Sequence, residues 1–274
     1  MFNKIFLYWK NFDWILFAPV LLLSTLGLIE IYSISLGQET VELINFQKQL
    51  IFIITGIILV LSISFLDHRM LRDLSNYFYL AGILLLGGVL IFGTTIKGTT
   101  GWYDLGVVSF QPVEVAKIIL IIFLAKFSSS GHLTGHPWKQ IILSGVATLI
   151  FVLLVFLQPD FGSAVILFGV WFLMLIITGF NKKYFLIIAV LALVALGGLW
   201  QFSFEQYQKE RILTFLSGPS ATTEQGYNIS QAIIAVGSGG LTGRGVGFGS
   251  QSQLKFLPEA EHDFIFAVIA EEFG

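Results

Sequence analysis

Seven apolar stretches, each near the length that crosses a bilayer, dominate this chain of 274 residues. A bilayer core of about 30 Å takes roughly 20 mostly apolar residues per helix. The stretches lie near Trp14 to Tyr32, Gln49 to Leu66, Tyr77 to Thr95, Pro112 to Phe127, Gln140 to Leu157, Phe161 to Phe180 and Tyr184 to Phe202. An eighth opens near Asp263 and is still running at Gly274. Only 12% of residues are Asp, Glu, Lys or Arg, against 55% in the set AVILMFWYC, which is too little charge for a surface facing water. The expected fold is an all-α polytopic membrane protein with seven complete transmembrane helices and the start of an eighth. Residues 1–274 read as a single membrane domain, incomplete at its C-terminus.

The first stretch is too long, and lacks the small-residue cleavage pattern, to be a removed signal peptide. With the amino terminus in the cytoplasm, the inner short segments carry Lys4, Lys10, Arg69, Arg72, Lys126, Lys139, Lys182 and Lys183, and the outer short loops carry only Lys48 and Lys97. That is the positive-inside pattern, and it places residues 203–262 outside as a long extracytoplasmic loop. The formal charge of −2 gives no nucleic-acid-binding balance. With no cysteine, disulfides, thiolate metal sites and thiol nucleophiles are excluded. Chemistry must run on oxygen and nitrogen groups.

Within the long loop, Tyr227 to Val236 has an apolar side at helical spacing, suited to lying in the interface or re-entering the membrane. Glycines then crowd residues 237–249 without the spacing of a dinucleotide or P-loop motif. They fit either a turn-rich connector or a loop that lets a bulky ligand approach the backbone. Ionisable residues inside spans are expensive and face a bundle interior or a wet cavity. Glu114 and Lys117, three apart at the outer start of the fourth span, share a helix face and form either an ion pair or part of a polar cavity. Asp160 in Gln158-Pro159-Asp160-Phe161-Gly162 suits a helix N-cap. Asp263 follows Glu259, Glu261 and His262 at the mouth of the eighth span, where it is either another helix-start acid or a base. Glu271 and Glu272 fall inside that span and require partners the sequence does not display. His132 and His136 sit among glycines and do not read as a metal pair.

Several of these residues form recognisable motifs. Phe110-Gln111-Pro112-Val113-Glu114-Val115-Ala116-Lys117 and Gln158-Pro159-Asp160-Phe161-Gly162-Ser163-Ala164 resemble the FQPSE-x-x-K and QPD-x-G-[ST]-A motifs of the SEDS family. Gly226-Tyr227 with Gln231, Ser238-Gly239-Gly240-Leu241, Leu257-Pro258-Glu259, and the run from Asp263 to Gly274 are similar to the family's outer loop and following helix. Residues 251–257 look more like the cell-elongation members than the division members. One departure stands out: Glu259-Ala260-Glu261-His262-Asp263 replaces a stretch that in the family reads close to EAHTD.

The resemblance implies a peptidoglycan glycosyltransferase that polymerises lipid II into glycan strands at the outer face of the bacterial cytoplasmic membrane. It implies a class B penicillin-binding protein and other elongation-complex membrane proteins as partners, and further spans beyond the eighth. In such a reaction a sugar 4-hydroxyl attacks an anomeric carbon and expels a lipid diphosphate. By match to the family motif, Asp263 is the candidate general base, with Glu259 beside it. Lys117 and Arg211 are candidates to neutralise the diphosphate, helped by a divalent cation such as Mg²⁺ held by Asp160 or Glu114. Trp102 is a candidate sugar-stacking residue or an interfacial anchor. The rival from another class is a transporter or flippase of lipid-linked saccharides, for which internal repeats are expected and none is seen. A structural scaffold would need neither the Glu114 and Lys117 pair nor the acids around Asp263.

Overall fold

The computed structural model of the chain describes residues 12–37, 43–96, 98–106, 108–129, 137–202, 209, 213 and 224–274. In chain order the long helices are α1 (Trp14–Leu36), α2 (Ile44–Ser64), α3 (His68–Phe92), α4 (Pro112–Ser129), α5 (Pro137–Phe156), α6 (Phe161–Ile177) and α7 (Lys182–Phe202). They are followed by α8 (Glu224–Gly239), the single turn α9 (Ser250–Gln253) and α10 (Ile265–Phe273). Each of the seven expected spans coincides with one helix. By length and composition, the helices Trp14–Leu36, Ile44–Ser64, His68–Phe92 and Trp138–Phe156 can cross a membrane, and Phe161–Ile177 is a shorter apolar helix. The protein is a mostly helical, multi-pass membrane protein.

Two expectations need correction. The protein is not all helix: between α3 and α4 lies an antiparallel sheet of β1 (Thr94–Ile96), β2 (Thr99–Asp104) and β3 (Ser109–Phe110), in that order. β-Branched Thr94, Thr95, Ile96, Thr99 and Thr100 favour extended backbone, and Gly98 at φ +84° turns the first hairpin. Thr95, expected inside the third span, is therefore a strand residue. The third helix also begins at His68, well before the apolar run, because the Asp67 carboxylate accepts the Arg69 N–H at 2.9 Å and caps a polar first turn.

The chain divides into two compact units, Ile63–Gly197 and Met1–Ser62 with Gly198–Gly274. In the first, buried Leu86, Leu120, Phe151, Val155, Leu167 and Trp171 build a core shared by α3, α4, α5 and α6. The Trp171 indole donates to Ser144 Oγ at 2.9 Å, so the one polar atom of that buried ring is satisfied. In the second unit, Ile34, Ala235, Leu257, Ala260, Ala267 and Val268 form a smaller core joining α1, α8 and α10. None of the residues of α2 is buried although the helix is strongly apolar, which fits a surface bathed in hydrocarbon.

Candidate active site

The residues singled out by the sequence fall into two clusters, one in each unit. In Ile63–Gly197, the two motif segments meet. The Asp160 carboxylate accepts the Ser163 N–H at 3.0 Å, capping α6, and accepts the Gln111 side-chain amide at 3.4 Å through its other oxygen. Gln158 is buried and donates to the Leu86 carbonyl at 3.2 Å. Gly101 of β2 faces these two glutamines so closely that an added Cβ would sit 3.2 Å from Gln158 Oε1. Its neighbour Trp102 is half-buried in the sheet and pairs with Thr94. Lys117 Nζ lies 2.8 Å from Glu114 Oε1, an ion pair along α4 itself rather than a bridge between helices.

These contacts bear on a protein-held cation. Both oxygens of Asp160 already accept hydrogen bonds and Glu114 is neutralised by Lys117. Among the described residues no three His, Asp or Glu side chains converge. That donor set does not fit a resident divalent ion on Asp160 and Glu114, which would need several free oxygens. Arg211, His132 and His136 lie outside the described residues.

The other cluster surrounds α10. Residues 258–264 form successive turns that deliver Asp263 to the start of that helix. The turn is shaped by Glu259 at φ +50°, whose carbonyl accepts the N–H groups of His262 at 3.1 Å and Phe264 at 3.3 Å. Glu261 is held by the Asn45 side-chain amide at 2.5 Å. Phe264, not Asp263, is the N-cap of α10, and no side chain caps it. Asp263 is exposed, and among the described residues nothing donates to its carboxylate, so the capping role that suits Asp160 does not apply here. Asp263 instead lines a cavity of about 340 Å³ walled by Ile229, Ala232, Ile233 and Val236 of α8 and by Phe264, Phe266 and Ala267. Among the described residues it is the one ionisable group in an otherwise apolar lining.

At the opposite end of α10, Glu271 and Glu272 find the partners that the sequence hides. Glu271 accepts the backbone N–H of Gln251 at 2.8 Å and of Ser252 at 3.2 Å, together with the hydroxyls of Ser252 at 3.2 Å and Ser238 at 3.3 Å. Glu272 Oε1 accepts the Ser33 hydroxyl at 2.5 Å and the Gly247 N–H at 3.1 Å. The glycine run lets the loop reach that far. An added Cβ on Gly239 would collide with the Ala270 carbonyl, and one on Gly243, at φ +70°, with the Glu272 carbonyl. Those glycines thus accommodate the chain's own helix rather than a ligand. Tyr227 to Val236 lies in α8, which packs along α10.

Sequence reasoning missed Glu30, a buried carboxylate in α1 beside Glu272. The signal was available: Glu30 is an acid within the first apolar stretch.

The family described as cell cycle proteins, FtsW, RodA and SpoVE, matches residues 13–274. The chain is similar to the peptidoglycan glycosyltransferase MrdB of Escherichia coli K12, with 34% identity over 257 residues, 93% of this chain and 69% of MrdB. Among solved structures it resembles a chain from a peptidoglycan synthase complex described as coordinating polymerization and crosslinking. That likeness has a TM-score of 0.71 and 29% identity, covering 96% of this chain and 72% of that one. It also resembles the rod shape determining protein RodA of Thermus thermophilus, with a TM-score of 0.58 and 25% identity, covering 90% of this chain and 83% of RodA. A match reaching from Asp13 to Gly274, through both motif clusters and all of α10, makes this chain a member of the SEDS family of FtsW, RodA and SpoVE.

Proposed function

We propose that the protein is a peptidoglycan glycosyltransferase of the elongation type, polymerising lipid II into glycan strands, with Asp263 as the general base. The observation that carries this reading is the Asp263 carboxylate, without a hydrogen-bond partner among the described residues, in the apolar cavity between α8 and α10. The acceptor sugar's 4-hydroxyl gives its proton to Asp263 as its oxygen bonds to the donor's anomeric carbon, and the bond from that carbon to the lipid diphosphate breaks. A general base typically contributes about 10²- to 10⁴-fold in rate. An apolar wall beside one acid suits a substrate that joins a polar saccharide to a prenyl tail. The glycosyltransferase name of the relative MrdB favours this over a carrier of lipid-linked sugars.

In this reading α1 to α7 are seven spans, the amino terminus is cytoplasmic, and α8, α9 and Asp263 belong to the outer side of the bacterial cytoplasmic membrane. Lys117, Arg211, Trp102 and Glu259 remain candidates for supporting the substrate. A divalent cation enters only as a counter-ion carried by the substrate's diphosphate, so excess chelator should slow turnover. A class B penicillin-binding protein is the proposed partner, supported by the resemblance to a chain of a synthase complex. The test is lipid II polymerisation by the purified protein with its partner. Asp263→Asn should lose at least about 10²-fold in rate. Turnover near the parental rate would sink the assignment.

A further inference from the structure

Asp263 is exposed and has no donor on its carboxylate among the described residues, so its aim comes from the turn that carries it. Residues 258–264 form successive turns, and no side chain caps the helix that follows. Glu259 holds φ +50°, a left-handed backbone that a non-glycine residue keeps only where its surroundings fix it. Three kinds of contact do so. Leu257 and Ala260 are buried in the small core with Ile34 of α1. The Glu259 carbonyl accepts the N–H groups of His262 and Phe264. The Glu261 carboxylate accepts the side-chain amide of Asn45, at the start of α2, at 2.5 Å. Asn45 is itself braced, because its neighbour Phe46 meets the ring of Tyr32 in α1 edge to face, with centroids 5.6 Å apart.

We propose, on the reading of Asp263 as the base, that Glu261 is a positioning residue for it, with Asn45 as the donor that holds Glu261. The carboxylate makes this hydrogen bond stronger than one between neutral groups. The pair joins two positions 216 apart in sequence and fixes the turn two residues before Asp263. It is also the printed side-chain hydrogen bond that ties α2 to this turn. Both partners lie at the surface, where a single substitution changes global stability little, so the contact acts on placement rather than on folding. Placement matters, since a reacting group displaced by about 1 Å can cost up to about 10²-fold in rate.

The test is lipid II polymerisation by the purified protein with its partner, with kcat and KM separated and the melting temperature followed. Asn45→Ala and Glu261→Ala should each lower kcat about tenfold, with KM within about twofold of the parent. Their melting temperatures should stay within about 2 °C of the parent's. The double alanine variant should be no slower than either single one, because the two residues act through one contact. Glu261→Gln keeps an oxygen for Asn45 and should remain within about threefold of the parent in kcat. Asn45→Asp sets two carboxylates against each other and should be slow, whereas Asn45→Asp with Glu261→Gln reverses donor and acceptor and should recover most of the lost rate. Parental kcat in both single alanine variants overturns the proposal, as does a reversed pair no faster than Asn45→Asp. A loss in Glu261→Gln as deep as in Glu261→Ala also overturns it, since the charge and not the hydrogen bond would then be what matters. Asp263→Asn in the same assay separates the two claims. Its parental turnover sinks the base assignment, whereas its loss beside parental kcat in Asn45→Ala and Glu261→Ala sinks the positioning role alone.

Discussion

Two aspartates each precede a helix, and their surroundings assign them opposite work. Asp160 spends one oxygen on the Ser163 N–H and the other on Gln111, so its value is structural. Asp160→Ala should lower stability by about 0.5 to 2 kcal/mol, the usual cost of a lost N-cap, read as a fall in melting temperature. Asp263 meets no donor among the described residues and opens onto apolar walls, as the proposed general base requires. Glu271 gives a third case. Its oxygens accept from two backbone N–H groups and three serine hydroxyls, so Glu271→Gln would turn an amide nitrogen toward donors. The expected cost is roughly 1 to 3 kcal/mol, visible as a lower melting temperature and a lower yield of folded protein. The acids at 259–263 and 271–272 were all legible in the sequence. What each does was not, because their partners lie at Asn45, Ser33 and Ser238 to Ser252, and nothing in a linear pattern pairs those positions.

At the scale of elements, the apolar runs predicted helices α1 to α7 well because length and hydrophobicity alone decide whether a segment can cross hydrocarbon. Their limits were less legible. The start of α3 is set by an Asp67 cap, and its end by the turn into a sheet in which β1 and β3 are only two or three residues long and β2 shows no alternation of buried and exposed positions. The loop after α8 was legible as glycine-rich but not in purpose, since only the fold shows that the glycines lie against α10. Gly243→Ala tests this. Both the collision with the Glu272 carbonyl and the left-handed backbone oppose a side chain there. A loss of about 1 to 3 kcal/mol is expected, measured by thermal unfolding in detergent. An equivalent Gly→Ala change at Gly197 in α7, where an added Cβ meets nothing within 4 Å, should be tolerated.

For the whole molecule, the lack of cysteine makes orientation directly measurable, because every introduced thiol is the only one present. Lys255→Cys should react with a membrane-impermeant maleimide added outside intact cells. Arg69→Cys should react only after the membrane is opened. The reverse pattern would invert the proposed topology and place Asp263 on the wrong side for lipid-linked donors outside. Within Met1–Ser62 and Gly198–Gly274, α10 carries Asp263 at its front and is gripped at its rear through Glu271 and Glu272 by α1 and the glycine loop. A short rod clasped at one tip has little freedom at the other, so the aim of the Asp263 carboxylate, the proposed base, is set by a grip more than two helical turns behind it. Anything that loosens the clasp, even without touching a sugar, will blunt the aim, and anything that tightens it will sharpen the stroke.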